Sequence, residues 1–354
     1  MSSIDERTVP ATEVPAPRRR HLRLGDALFR GTTRLIAIGL IALLVLLVVV
    51  LAIDGYRPIQ EFGLRFFIGR KWNPVQGRES FGALPFIFGT VVTSGIAILL
   101  AVPVSVGLAL LLNEVSRGWF PSVLAVLVDL LAAIPSVVYG LWGVFILQPF
   151  LNRTVEPFLA RTIGRVPLVG ALFAPNVNGG FQGGDIFTAG LILAIMILPI
   201  ITAVAREVVL TVPRDLREAA LALGSTRYEM IRMAVLPYAR SGIVGATMLG
   251  LGRALGETIA VAMVVGNGLG IHTSLFNSGS TIPSVIANEF REASSAGLHK
   301  PALLALALIL IVIALVFAAL SRFLVRRSAA LVSGEPPPEA LEAIVFRGGE
   351  GGAS

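Results

Sequence analysis

Six stretches of this chain, at about 34–53, 84–112, 120–147, 186–205, 241–266 and 301–325, are long and mainly apolar. Roughly 20 such residues make a helix that crosses the hydrocarbon core of a bilayer. Inside lipid the backbone has no water to bond, so such a segment closes its hydrogen bonds within itself, as a helix. The expected fold is therefore an all-α membrane protein with six transmembrane helices between residues 31 and 325. Charged residues make up 14% of the chain, well below the roughly 25% of soluble domains, which agrees. The first stretch is too long for the apolar part of a signal peptide, and no small-x-small cleavage site follows Ile53, so it counts as a span. Pro103, Pro135 and Pro199 fall inside spans, where neighbouring helices can satisfy the carbonyls that a proline leaves free.

Six spans put both termini on one side. If that side is the cytoplasm, its segments carry 17 basic residues and the three opposite loops, 54–83, 148–185 and 267–300, carry ten. Lysine and arginine concentrate on the cytoplasmic side of membrane proteins, so cytoplasmic termini are expected. The formal charge of +7 then reports orientation rather than nucleic-acid binding. Loop 54–83 alone holds five of the ten basic residues. It reads as a solvated exterior loop, with anion attraction or partner docking as the alternative. Residues 1–30 and 326–354 are expected to be disordered cytoplasmic tails, rich in Pro, Gly and charge, with one helix-compatible stretch from Glu339 to Phe346.

Several chemistries lack their residues. There is no cysteine, hence no disulfide and no thiolate metal site. No phosphate-binding loop, nucleophile elbow, zinc motif or dinucleotide fingerprint occurs. His21, His272 and His299 are scattered outside the spans, so no metal site is expected. No internal repeat is evident, which argues against carriers built from two related halves.

The loop between the fourth and fifth spans, 211–240, carries a pattern. Pro213 and Asp215 make a helix start, and Leu216, Ala219, Ala220, Leu223 and Met230 fall at helical spacing. Gly224 ends the first helix, and a second, about 226–235, leads through Leu236-Pro237 into the fifth span. A helix this short is unstable alone in water and needs something to pack on. A surface helix lying on the membrane or on its own bundle would show the same apolar face.

The spacing is more specific than that. Glu218-Ala219-Ala220, Gly224 and Leu236-Pro237 resemble the EAA loop of ABC importer permeases, with Ala234 where that pattern has Ile. Two further stretches, IPSVVYGLWG at 134–143 and GRALGETIAVAM at 252–263, resemble the PstC-type permease subunits of phosphate-specific importers. The resemblance runs over roughly residues 30–325. It implies the type I importer permease fold, in the bacterial cytoplasmic membrane, as half of a translocation pathway. It also implies a PstA-like permease partner, two copies of a separate ATPase that uses ATP and magnesium, and an extracytoplasmic phosphate-binding protein. This chain itself then needs no cofactor and is no enzyme. Glu218, Ala219, Ala220, Gly224, Leu236 and Pro237 are implied to couple to the ATPase. Permeases of other oxyanions, such as sulfate or molybdate, and the PstA role are the nearest alternatives. An ATP-independent channel or ion-coupled carrier is a more distant one, for which the EAA loop has no use.

Arg253 and Glu257 are the charges that the fifth span must accommodate. Each costs about 2.5–3.5 kcal/mol at a helix centre, so they are expected to face protein or water. At i and i+4 they share one face of a continuous helix. An ion pair that only fixes packing is one reading. The other places them on the substrate pathway, Arg253 offering a planar fork to phosphate oxygens and Glu257 tempering its field and repelling unprotonated sulfate. Thr258 and Tyr139 are further pathway candidates, Tyr139 also as a pin for the kink at Pro135. Gly252 and Gly256 fit a small-x-x-x-small helix contact, with clearance for an anion as the alternative. Asp129, and Glu114 with Arg117, read as hydrated residues near the inner surface. Thr90, Thr93, Ser94 and Ser105 are expected to bond back to their own helices.

Overall fold

The computed structural model describes residues 20–333, apart from 76, 116–117, 168, 177–178, 182 and 295–296. The expected helical stretch at 339–346, and Arg117, lie outside the described residues. The chain divides into two units, one ending at Val50 and one beginning at Leu51. The first is helix α1 (Arg20–Asp54) through Val50, so helix already begins ten residues inside the expected N-terminal tail.

In the second unit, short helices α2 (Tyr56–Phe62) and α3 (Leu64–Ile68) precede an antiparallel pair of two-residue strands, β1 (Trp72–Asn73) and β2 (Ser80–Phe81). Helix α4 (Leu84–Leu110) follows and closes in a π-helical turn, Leu111–Val115. Helices α5 (Trp119–Ala133) and α6 (Ser136–Trp142) form the third apolar segment. Beyond it the chain continues through α7 (Gln148–Phe150) and α8 (Glu156–Thr162), with π turns between. Helix α9 (Ile186–Leu210) is next, then α10 (Arg214–Ala222), α11 (Arg227–Met230) and α12 (Leu236–Gly256). The chain closes with α13 (Ile259–Val264), α14 (Ile282–Glu289) and α15 (His299–Ser333), the last running into the expected C-terminal tail.

Among the described residues, four helical stretches are long and apolar enough to cross a membrane: Gly25–Phe62, Leu84–Glu114, Ile186–Leu210 and His299–Phe323. A fifth follows if α5 and the stretch from Ser136, which bend by 94° at Ile134–Pro135, make one span. The remaining one, the expected fifth span at 241–266, is not one helix, because the chain leaves helical geometry between Gly256 and Ile259. The all-helical membrane fold stands, while helix length alone does not yield the count of six.

Helices α4 and α9 pack along each other, with α12 beside them, through buried small residues such as Ala97, Ala101, Ala189, Ala205 and Ala246. Small side chains let membrane helices approach closely enough for van der Waals contact, which replaces the hydrophobic effect inside lipid. Pro199 sits inside α9, and next to it the Leu198 carbonyl accepts hydroxyls from Thr202 (2.8 Å) and Ser105 (3.0 Å). Ser105 thus bonds across to α9 rather than to its own helix as expected. Thr90 and Thr93 do bond back to Phe86 and Gly89, whereas the Ser94 hydroxyl is buried without a partner.

The two ends of α4 carry different structures. Its N-terminal end meets α3, the β pair, α14 and α15 in an aromatic cap built on Phe66, Trp72, Phe81 and Phe86. Its C-terminal end, about 40 Å away at 1.5 Å per residue, meets the 211–240 loop. Loop and cap therefore lie at opposite ends of the bundle.

Candidate functional site

The local sequence explains the break in the fifth apolar segment. Gly252 and Gly256 weaken the helix where it ends, and Glu257 takes up extended backbone at φ −68°, ψ 129°. Two side chains then cover freed backbone groups. The Glu257 carboxylate accepts from the Ala260 N–H at 3.4 Å, and the Thr258 hydroxyl donates to the Gly256 carbonyl at 3.2 Å. Arg253 and Glu257 consequently do not share a helix face, and no ion pair joins them among the described residues. The expectation of a continuous i, i+4 face is corrected, as is the reading that they merely neutralise each other.

The glycines divide by surroundings. A Cβ on Gly250 would lie 2.6 Å from Ile201, so Gly250 serves the close packing of α12 on α9. Gly252 and Gly256 meet nothing within 4 Å, and Arg253 beside them is exposed. The expected small-x-x-x-small contact at 252 and 256 is therefore not made within this chain. What stands there is an open, charge-bearing surface.

The IPSVVYGLWG stretch comes to the same place. Helix α6 packs on α13, where a Cβ on Gly140 would lie 3.1 Å from the Ala260 Cα and 2.6 Å from the Met263 sulfur. Any larger residue at 140 would push the half-helix away from the bend. Tyr139 is buried in this contact, and its hydroxyl donates to the Leu131 carbonyl at 2.8 Å, across the 94° bend. It thus ties the two halves of the bend together, and it lies close enough to Arg253 to feel its charge. The structure brings Arg253, Glu257, Thr258 and Tyr139 into one region, built where two helices break. Asp129 lies elsewhere, exposed at a pocket shared with Thr202 and Arg206.

At the opposite end the 211–240 loop adopts the expected turn. Helix α10 starts after Pro213, and Gly224 takes φ +85°, a conformation that side-chain-bearing residues rarely adopt. Thr226 caps α11, exchanging hydrogen bonds with Glu229 and holding that carboxyl below its usual range. From Arg227 to Gly256 the chain is then helical without interruption, passing through a π turn at Ile231–Val235 and through Leu236 and Pro237. The expected apolar face of the loop divides. Ala220 and Met230 turn inward onto Val209, Val212, Val235 and Ala239. Leu216, Ala219 and Leu223 stay exposed, Leu223 at 90%, and Glu218 is exposed beside them.

Sequence reasoning missed the residues that hold this loop. Arg217 pairs with Glu114 at 2.8 Å and donates to the Val209 and Val212 carbonyls at 2.8 and 3.0 Å. One guanidinium thus joins α10 to the ends of α4 and α9. Glu114, expected to be solvated, is 8% exposed. Asn113 next to it donates to the Arg206 carbonyl at 2.8 Å, a second tie between the same helix ends. The lone polar residues at the end of the second apolar run were the available signal, but their partners lie far away in sequence.

This architecture has known relatives. Residues 101–329 match the family model described as the binding-protein-dependent transport system inner membrane component. A phosphate transport system permease protein PstC of Pasteurella multocida (strain Pm70) is 45% identical over 302 residues, covering 85% of this chain and 92% of that protein. The chain belongs to the PstC permease family. Another PstC, from Mesorhizobium japonicum, is 44% identical, covering 87% of this chain and 92% of that protein. The PstC 2 protein of Mycobacterium tuberculosis is 41% identical, covering 78% and 84%. Among solved structures, a chain of a bacterial alginate ABC transporter in complex with a pentasaccharide-bound periplasmic protein shares the fold. It does so at a TM-score of 0.56 and 18% identity, covering 88% of this chain and 98% of that one. As a PstC-family member the chain is a multi-pass membrane permease subunit of the ABC importer type.

Proposed function

We propose that the chain forms half of the translocation pathway of an ATP-driven inorganic phosphate importer. Its partners in this reading are a PstA-like permease, two copies of a separate ATPase and an extracytoplasmic phosphate-binding protein. The observation that carries the reading is the likeness to PstC proteins over most of both chains. The termini and the 211–240 loop then face the bacterial cytoplasm.

The geometry suggests how such a subunit works. Exposed Leu216, Ala219 and Leu223 offer α10 to a cleft on the ATPase, with Glu218 beside them. Arg217 transmits a displacement of α10 to α4 and α9, while the continuous helix from Arg227 carries it to Gly256. At 1.5 Å per residue that helix spans about 45 Å, so a small tilt at its base moves the break appreciably. At the break Arg253 offers two parallel N–H groups to phosphate oxygens on an open surface. Glu257, one oxygen turned to the Ala260 N–H, has the other to accept from a protonated phosphate oxygen and to repel sulfate. The same carboxylate lowers the net positive field, which favours release over trapping.

The test is uptake of labelled phosphate into proteoliposomes holding the assembled complex and the binding protein, with ATP on the ATPase side. ATP-dependent uptake that ignores excess sulfate, and is lost in an assembled Arg253→Gln complex, supports the reading. Wild-type failure on phosphate with success on another oxyanion would overturn the substrate. Full activity of the variant would return Arg253 to helix packing.

A further inference from the structure

Outside the site described above, the molecule holds a second polar cluster, at the end of the bundle opposite the 211–240 loop. Beyond the third apolar segment, Gln148, Asn152 and Glu156 follow one another at four-residue spacing on the outer stretch α7–α8. They face Gly183 to Asp185, just before α9. A Cβ on Gly183 would lie 2.6 Å from the Asn152 Nδ2 and 3.2 Å from Gln148, so only glycine lets the two segments meet. Glu156 is 0% exposed and Asp185 1%.

The hydrogen bonding is lopsided. The Asp185 carboxylate accepts from the Thr188 N–H at 2.7 Å and from the Thr188 hydroxyl at 3.1 Å. Neither oxygen of Glu156 receives a donor, and the carbonyl oxygen of Asn152 is likewise buried without one. The two carboxyl groups meet, within hydrogen-bonding reach once either carries a proton. Arg153, Arg161 and Arg165, the bases of the outer stretch and the turn after it, are exposed. From α9 the titratable group facing Glu156 is Asp185. His272, in the 265–281 loop, lies against Gly270. No ion pair reaches either carboxyl among the described residues.

Two ionised carboxylates in contact and out of water are strongly unfavourable, and such a pair keeps one proton. Asp185, stabilised by two donors, takes the negative charge. Glu156, with none, takes the proton. We propose that Glu156 and Asp185 form a proton-binding site in which the Glu156 hydroxyl donates to the Asp185 carboxylate, fastening the outer stretch to the start of α9. The bond is charge-assisted, the stronger class of hydrogen bond. Loss of the proton replaces it with two like charges, so the site is a latch that alkaline conditions on that face release.

The sign follows from linkage. The folded chain binds a proton that the unfolded chain gives up above the ordinary carboxylate range, so the stability contributed by the latch falls as pH rises. Infrared spectroscopy of the detergent-solubilised assembly reads the proton without reference to transport. Wild type should show the C=O stretch of a buried protonated carboxyl, absent in Glu156→Gln and fading as pH is raised from about 5 to about 9. Thermal melts over the same range should fall by several degrees for wild type and stay level for Glu156→Gln, whose amide donates to Asp185 at every pH. Asp185→Asn should shift the frequency of the band, because an amide is a weaker acceptor than a carboxylate; this serves if Glu156→Gln does not assemble. A band that persists in Glu156→Gln, or wild-type and variant melts that run parallel with pH, overturns the proposal. So does magnesium or calcium raising the wild-type melting temperature but not that of Glu156→Gln, since a cation would then fill the cluster.

Discussion

Two arginines in this chain are placed in opposite ways. Arg217, at the base of the bundle, has a carboxylate and two carbonyls within 3.0 Å and is largely covered. Arg253, at the break in the fifth apolar segment, is exposed, flanked by empty glycine positions and held by no ion pair among the described residues. A guanidinium whose donors are satisfied within the fold is a fastening. One left open beside glycines is available to something that comes and goes. On the function proposed above, the difference separates a charge that fastens the fold from one that meets the substrate.

The largest expected effect strikes the fastening. Arg217→Ala leaves Glu114 and two carbonyls without their partner, and breaking a buried pair typically costs about 3–5 kcal/mol. Thermal melts of the assembled complex should drop accordingly, and ATP hydrolysis should lose its dependence on the loaded binding protein. An unchanged melt would show that the Val209 and Glu114 ends are held by packing alone. Arg253→Gln should do the converse. The melt should stay put while uptake falls about ten- to a hundredfold, the equivalent of a charged hydrogen bond worth about 1.5–3 kcal/mol. If both substitutions lower the melt equally, the contrast between the two arginines disappears.

Four of the expected spans, the 211–240 loop and the two motif stretches were legible because each is a local pattern. Apolar runs, Pro213 before a helix and Gly224 after one are all read within a few residues of themselves. The break at 257–258 was not. GRALGETIAVAM has no proline and continues the apolar spacing, so it reads as helix until the side chains of Glu257 and Thr258 are seen covering the freed backbone. The bend at Ile134–Pro135 was half legible, the proline marking the place but not the 94° angle. Glu114 and Arg217, or Glu156 and Asp185, are pairs that only the packing of distant helices creates. Each residue alone looks like a hydrated charge.

Glycines offer a finer version of the comparison. Gly250→Val would press a side chain into Ile201, an overpacking that costs about 1–3 kcal/mol and lowers the melt of the complex. Gly252→Val, two residues on, meets nothing in this chain and should leave the subunit's own stability intact. If Gly252→Val prevents assembly, the open face beside Arg253 is where the partner permease packs. If assembly is normal and uptake falls, the face lines the pathway.

The smallest effect tests whether Tyr139 belongs with Arg217 or with Arg253. Its hydroxyl is already committed to the Leu131 carbonyl across the bend, yet it lies within reach of the Arg253 charge. Tyr139→Phe removes one neutral hydrogen bond, worth about 0.5–1.5 kcal/mol, and keeps the ring in its contact with α13. A fastening predicts a slightly lower melt with the phosphate concentration for half-maximal uptake unchanged. A pathway residue predicts the reverse, because the hydroxyl would leave Leu131 to meet the anion. The carbonyl it serves has the Ile134 N–H at 3.3 Å as its backbone donor, and Pro135, the next residue, has no N–H to add. That makes the first outcome the expected one, and it places the bend with the rigid frame against which Arg253 works.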